Sequence, residues 1–192
     1  MTGAAFHPEL LDLPAALAGS KVMLRPYRAG DGAVFFAAVD ADREALGKWV
    51  GWVDQHRTRD DAEAYVRRMH AKWQERSALI MGIWSKDGRE YFGGIGFHGL
   101  DWAVPSLELG YFLRSDAQGR GYASDAVRQI VEFGFRTLAA RRIWASCDTG
   151  NDPSVRVLER CGFRREATLR NERRNQQGSL RDTLIFAITS PP

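Results

Sequence analysis

The segment from Leu107 to Cys147 constrains the fold more than any other part of the chain. Leu107 to Leu113 (LELGYFL) reads as a strand, Tyr122 to Leu138 repeats Ala126, Val127, Ile130, Val131 and Phe135 at helical spacing, and Arg142 to Cys147 (RIWASC) reads as a second strand. Two strands joined through a helix lie side by side and parallel, with the helix crossing over one face of their sheet. The chain is thereby committed to an α/β fold.

The flanking sequence fills in the rest. Lys21 to Tyr27 reads as a strand, and Asp31 then caps a helix with Val34, Phe35, Ala38 and Val39 on one face. Residues 43–57 carry Leu46, Trp49, Trp52 and Val53 without clean periodicity, as a short helix or an ordered loop would. Thr58 with Asp60, Asp61 and Glu63 starts a second helix. Its apolar face is Ala62, Tyr65, Val66, Met69 and Trp73, with Arg67, Arg68 and Lys72 toward water. Ala78 to Trp84, Tyr91 to Leu100 and Leu107 to Leu113 follow one another without helices, an antiparallel meander with a turn at Lys86-Asp87-Gly88. Asn151-Asp152-Pro153-Ser154 opens a helix that Gly162 closes, and Phe163 onward with Leu180 to Ile188 forms a last hairpin joined near Gly178. The order β-α-α-β-β-β-α-β-α-β-β belongs to one α/β domain over residues 1–192, with 1–20 as an N-terminal extension.

Composition narrows the function classes. With 192 residues, 44% of them hydrophobic, the chain buries roughly 70% of its unfolded surface and needs neither disulfide nor metal to fold. Cys147 and Cys161 show no CxxC or Cys/His spacing, and His7, His56, His70 and His98 are scattered, so no metal site is expected. No apolar run approaches the ~18 to 20 residues of a membrane helix. The first residues lack a basic region and carry Glu9 and Asp12, unlike a signal peptide, so a cytoplasmic location is expected. The net charge of +3 suits an anionic ligand or an arginine-rich organism equally. Aromatic and basic residues do not interleave on one surface, so nucleic acid is not an expected partner.

The chemistry is concentrated where the first strand of the crossover meets its helix, at Gln118-Gly119-Arg120-Gly121-Tyr122-Ala123. Without Cβ atoms, Gly119 and Gly121 let the backbone turn sharply and bring its N–H groups against a ligand, while the helix N-terminus adds positive potential. Plain loop geometry would use such glycines too. Neither the P-loop spacing nor the GxGxxG fingerprint is present at this strand-to-helix turn, which removes kinase and dehydrogenase readings. This segment, the preceding Glu108-Leu109-Gly110-Tyr111, the later Asn151-Asp152-Pro153-Ser154 through Gly162-Phe163, and the Gly178-x-x-x-Asp182-x-x-x-Phe186 hairpin occur in an order that resembles the GNAT acyltransferase superfamily, in its Rim-type branch of ribosomal-protein N-terminal acetyltransferases. The resemblance covers about Lys21 to Ile188.

It implies a mixed, mostly antiparallel sheet splayed in a V, with helices on both faces and acetyl-CoA in the gap. The cofactor-binding residues implied are Tyr111, Phe112, Leu113, Gln118, Gly119, Arg120, Gly121, Tyr122, Ala123, Asn151 and Ser154. Asn151 would touch the pantetheine arm or cap its helix, and the two roles can coexist. Glu108 is the implied base, or else a solvated strand glutamate. A backbone N–H near Phe112 or Leu113 would hold the developing oxyanion, and Ser154 would protonate the thiolate or satisfy first-turn amides. Cys147 and Cys161 are packing residues rather than acyl carriers. The arginines at 164, 165, 170, 173 and 174 form a solvated strand face, or contact the CoA 3′-phosphate or an acidic protein. Trp49, Trp52, Trp73 and Trp84 are core, with 49 and 52 placed where an acceptor groove would lie.

The resulting expectation is direct acetyl transfer to a primary amine, foremost a protein N-terminal α-amine. A small amine (polyamine, aminoglycoside or amino-acid derivative) is the alternative acceptor, and a non-catalytic CoA-binding module the alternative role. No membrane partner is expected; monomer and homodimer both stay open.

Overall fold

The computed structural model describes residues 6–175 and 177–189. Residues 1–5 of the N-terminal extension, Gln176 in the last hairpin and 190–192 lie outside the described residues. Eight strands form one sheet: β1 (Leu17–Ala18), β2 (Val22–Pro26), β3 (Leu79–Ser85), β4 (Tyr91–Asp101), β5 (Ser106–Leu113), β6 (Arg142–Asp148), β7 (Arg164–Arg174) and β8 (Leu180–Thr189). Their order is β1-β2-β3-β4-β5-β6-β8-β7, antiparallel throughout except where β5 meets β6. The two-residue β1 falls inside the extension and pairs with β2, so the end of that extension is part of the sheet.

Alternation along the strands separates two apolar layers. Leu79, Met81 and Ile83 of β3 join Phe97, Leu107 and Leu109 against Ala126, Val127 and Ile130 of α4 (Tyr122–Arg136). Ile80 and Trp84 face the other way with Tyr27, toward Phe35 and Val39 of α1 (Gly32–Ala41), Leu46 of α2 (Arg43–Gly47), and Ala62 and Val66 of α3 (Arg59–Glu75). On this second face β4 carries Gly94 and Gly96. A Cβ on Gly94 would stand 2.8 Å from the Phe112 ring and 2.9 Å from the Tyr27 hydroxyl, and one on Gly96 would stand 2.6 Å from the Ile80 backbone. The glycines leave room for rings.

Two local readings need correction. Asp31 occupies the N-cap of α1 but does not cap with its side chain; its carboxylate is drawn off by the Arg25 guanidinium at 2.9 Å and the Arg28 N–H at 2.8 Å. Val34 lies outside the buried face of α1, which is Phe35, Ala38 and Val39. Residues 43–57, which have no clear period, form α2 followed by a 3-10 turn at Gly51–Gln55. Thr58 and Asp61 form a full capping box on α3. Among the described residues no helix is long and apolar enough to cross a membrane.

The sheet opens in the middle. β5 pairs with β6 only through Ser106–Glu108 against Arg142–Trp144. Beyond that point β5 continues on β4 as far as Leu113, and β6 continues on β8 as far as Asp148. The two strands diverge, with α5 (Asp152–Arg160) leaving the far end of β6.

Candidate active site

A cavity of about 740 Å³ fills the opening and extends to both faces of the sheet. The β4–β5 register decides which backbone groups reach it. The Arg114 N–H bonds the Phe92 carbonyl at 2.8 Å, so in an antiparallel ladder Phe112, Gly110 and Glu108 also spend their backbone groups on β4. Tyr111 and Leu113 turn theirs the other way, into the gap that β6 has left. Of the two positions expected to hold an oxyanion, Leu113 therefore presents its N–H and Phe112 does not.

Gln118, Gly119, Gly121, Tyr122 and Ala123 line the cavity at the N-terminus of α4. Gly119 and Gly121 have φ of 75° and 80°, and nothing stands within 4 Å of where a Gly119 Cβ would be. Gly121 is the N-cap, and no side chain caps it. The first bond within the helix runs from the Asp125 N–H to the Gly121 carbonyl, so the preceding amides have no partner in the helix. Arg120 is exposed and does not line the cavity; its carbonyl accepts from Lys21 Nζ at 2.8 Å. Asp125 fastens this corner, accepting from the N–H groups of Lys21 and Val22 at 2.9 and 3.1 Å and from Ser20 Oγ at 2.6 Å. Burial alone would raise its carboxyl, but these hydrogen bonds outweigh burial and hold it below the usual carboxylate range.

Asn151 caps α5, accepting the Ser154 N–H at 3.2 Å, and also lines the cavity. Ser154 Oγ lies 2.8 Å from the Tyr111 hydroxyl, which donates to the Ser154 carbonyl at 3.2 Å. Burial pushes the Tyr111 phenol well above its ordinary range, so it is a protonated donor. The expected helix α5 offers no tyrosine, but β5 brings one to the serine from 43 positions away, a pairing that no local spacing announces. Burial also pushes the Cys147 thiol up to about 11 against a hydrogen bond from Ser154, which leaves it inert, and burial raises Cys161 as well.

The opposite face of the gap is different in kind. Glu108, 21% exposed, stands across from His98 on β4, with His98 Nδ1 3.3 Å from Glu108 Oε2 and Ser146 Oγ 3.5 Å from Glu108 Oε1. It is not a freely solvated strand glutamate. Around it the cavity is walled by Trp49, Trp52, Tyr65, Met69, Ile80 and Phe112. Trp52 and Phe112 meet at 5.2 Å, and Phe35 stacks on Tyr65 at 4.9 Å behind them. His56 is buried among these rings, and burial lowers its imidazole below the ordinary range, keeping it neutral. Trp49 and Trp52 thus line the cavity, whereas Trp73 stacks on Phe133 and Trp84 lies under the Arg25 guanidinium. On β7, Arg164, Arg165, Arg170 and Arg174 are exposed, and Arg173 reaches the cavity wall.

Among the described residues no cluster of His, Cys, Asp or Glu could hold a metal ion. Residues 21–164 match the family model of the acetyltransferase (GNAT) domain. The N-acetyltransferase YoaA of Bacillus subtilis, itself uncharacterized, is 29% identical over 89% of this chain and 94% of its own. Mycobacterium smegmatis RimJ, solved with CoA-disulfide, superposes with a TM-score of 0.83 at 28% identity, over 96% of this chain and 90% of its own. RimL, a ribosomal α-N-protein acetyltransferase solved with coenzyme A, shares the fold with a TM-score of 0.85 at 18% identity, over 91% and 97%. The splayed sheet, the uncapped glycine-bearing helix end and these matches agree: the chain belongs to the GNAT family and is an N-acetyltransferase.

Proposed function

We propose that the protein transfers an acetyl group from acetyl-CoA directly to the α-amine at a polypeptide N-terminus. The observation that carries the choice of acceptor is the charge of the cavity wall. Its carboxylates are Glu108 and Asp148, and Asp148 is committed to Arg181, whose Nε lies 2.9 Å away. A polyamine or aminoglycoside needs a series of fixed carboxylates, one for each ammonium; a peptide needs one base beside an open apolar groove. The described residues supply the second arrangement.

The unpartnered amides from Gly119 to Ala123, with Gln118 beside them, fit the pyrophosphate of acetyl-CoA, while Asn151 and the β5 edge from Tyr111 to Leu113 fit the pantetheine arm. Bound there, acetyl-CoA supplies the activated acyl carbonyl. The Leu113 and Tyr111 N–H groups stand where its oxygen gains charge. Glu108 is the carboxylate on which removal of the ammonium proton depends, and Ser154, backed by the Tyr111 hydroxyl, delivers a proton to the departing thiolate. An α-amine suits such a site: with a pKa of about 8 it is roughly 10% neutral at pH 7, against well under 1% for a lysine side chain.

The test is thiol release from acetyl-CoA with synthetic hexapeptides bearing free serine, alanine or methionine N-termini, beside spermidine and kanamycin. Turnover with the peptides, abolished when their N-termini are blocked, is expected. Turnover with spermidine or kanamycin alone would overturn the acceptor assignment. A melting temperature unmoved by millimolar acetyl-CoA would overturn the donor assignment.

A further inference from the structure

The His98 ring lines the acceptor side of the cavity. Directly opposed residues of an antiparallel pair project to the same face, so His98 and Glu108 lie together, and Gly110, two residues along β5, belongs to that face as well. Gly110 carries no side chain there, and the imidazole takes the space: a Cβ on Gly110 would stand 2.9 Å from His98 Nε2. The ring is thus seated between the Glu108 carboxylate and Gly110. Nδ1 lies 3.3 Å from Glu108 Oε2, and Nε2 lies over Gly110. His98, Glu108 and Gly110 all line the cavity.

We propose that His98 is the group that takes the ammonium proton, through Nε2, and that Glu108 is a positioning residue that holds the proton of the neutral ring on Nδ1. This deepens the acetyltransferase reading above and rests on it. The logic is that of a base whose second nitrogen is oriented by a buried carboxylate. An ammonium R–NH3⁺ gives one proton to Nε2 and becomes a neutral nucleophile. Its nitrogen forms the C–N bond as the C–S bond breaks, and the second proton ends on the thiolate, through Ser154. The imidazolium then returns its proton to water, which it reaches because the side chain is 48% exposed. The imidazolium is steadied by Glu108; the other charged groups lining the cavity are Lys72 of α3, Asp148 of β6, Arg156 and Arg160 of α5 and Arg173 of β7, beside the phenols of Tyr27, Tyr65, Tyr111 and Tyr122 and the Cys147 thiol.

The pH dependence of kcat/KM distinguishes this arrangement from one in which Glu108 acts alone, using acetyl-CoA and a free-amine hexapeptide. Loss of neutral amine gives log(kcat/KM) a slope of one below about pH 8. With His98 as the base, the slope steepens to two at lower pH, where the ring already carries a proton and cannot take another. His98→Gln should remove that second break and lower kcat/KM at pH 7 by ~10², and added imidazole should restore part of the rate to His98→Ala. Glu108→Gln should keep the second break, because the base itself is still present. A His98→Gln enzyme with wild-type kcat/KM, or a wild-type slope of one down to pH 5.5, overturns the proposal. The melting rise with acetyl-CoA is measured beside each variant. If the wild type shows neither that rise nor turnover, the acetyltransferase reading itself fails; if it shows both and His98→Gln behaves as wild type, only His98 is ruled out.

Discussion

The two sides of the cavity are built by opposite means. The side proposed for the acetyl donor is backbone: contiguous amides from Gly119 to Ala123, presented by left-handed glycines and an uncapped helix end. The side proposed for the acceptor is side chain, assembled from the α2 region, α3, β3 and β5, which contribute Trp49 and Trp52, Tyr65 and Met69, Ile80, and Phe112. A backbone site needs correct dihedral angles over one short segment. A side-chain site needs every element that contributes to it to pack correctly, and its chemistry can change by substitution without disturbing the frame.

If the two sides are separable in this way, mutations should divide cleanly between donor and acceptor parameters. The largest effect belongs to Glu108→Gln, which keeps shape and removes the charge that organises proton removal. Turnover at pH 7 should fall by up to ~10², no further than on loss of the His98 base, while acetyl-CoA affinity, read by calorimetry, stays within a factor of two or so. Raising the pH toward the acceptor's own pKa should recover part of the rate, because solvent then provides neutral amine. A parallel loss of acetyl-CoA affinity would break the division.

Gly121→Val attacks the donor side alone. A β-branched residue is strained at φ 80°, and its Cβ would stand 3.0 Å from Lys21 Nζ. Acetyl-CoA affinity should fall by at least ~100-fold, about 2.7 kcal/mol, and the several-degree melting rise at saturating ligand should vanish. A folded variant with unchanged affinity would move the cradle elsewhere.

Trp52→Ala is the converse experiment. Its ring meets Phe112 and Phe35 on the acceptor wall, so KM for a peptide should rise by ~10-fold, in the range of about 1 to 3 kcal/mol for losing apolar wall, with acetyl-CoA affinity constant. The smallest effect is expected from Ser154→Ala. A thiol of pKa about 8.5 leaves tolerably without an acid, and Tyr111 remains, so turnover should drop by less than ~10-fold. A drop as deep as that of Glu108→Gln would make thiolate protonation the difficult step and blur the boundary between the sides.

The same contrast explains what the sequence disclosed. The crossover from β5 through α4 to β6, the glycines at 119 and 121 and the cap at Asn151 rest on local rules of periodicity, dihedral angle and capping, and each is legible residue by residue. The acceptor wall is not, because the 43–57 stretch has no period and Trp52 gains its meaning only from Phe112, far along the chain. Asp31 shows the limit even of local rules: a good N-cap residue abandoned the cap because Arg25 offered a stronger partner. The Tyr111–Ser154 and His98–Glu108 contacts depend on register, which emerges only when strands are paired.

The glycines at 94 and 96 carry a consequence for how such a chain can change over generations. A Cβ on Gly94 would meet the Phe112 ring and one on Gly96 the Ile80 backbone, so the wall can close over these two positions only while they add no atoms. The tolerance of the wall is therefore uneven. Rings at its rim can be exchanged for others and select a new acceptor, while the floor beneath them can only be kept. Lineages that diverge in what they acetylate should drift at the positions of Trp49, Trp52 and Met69 and stay frozen at two sites whose side chains consist of a single hydrogen.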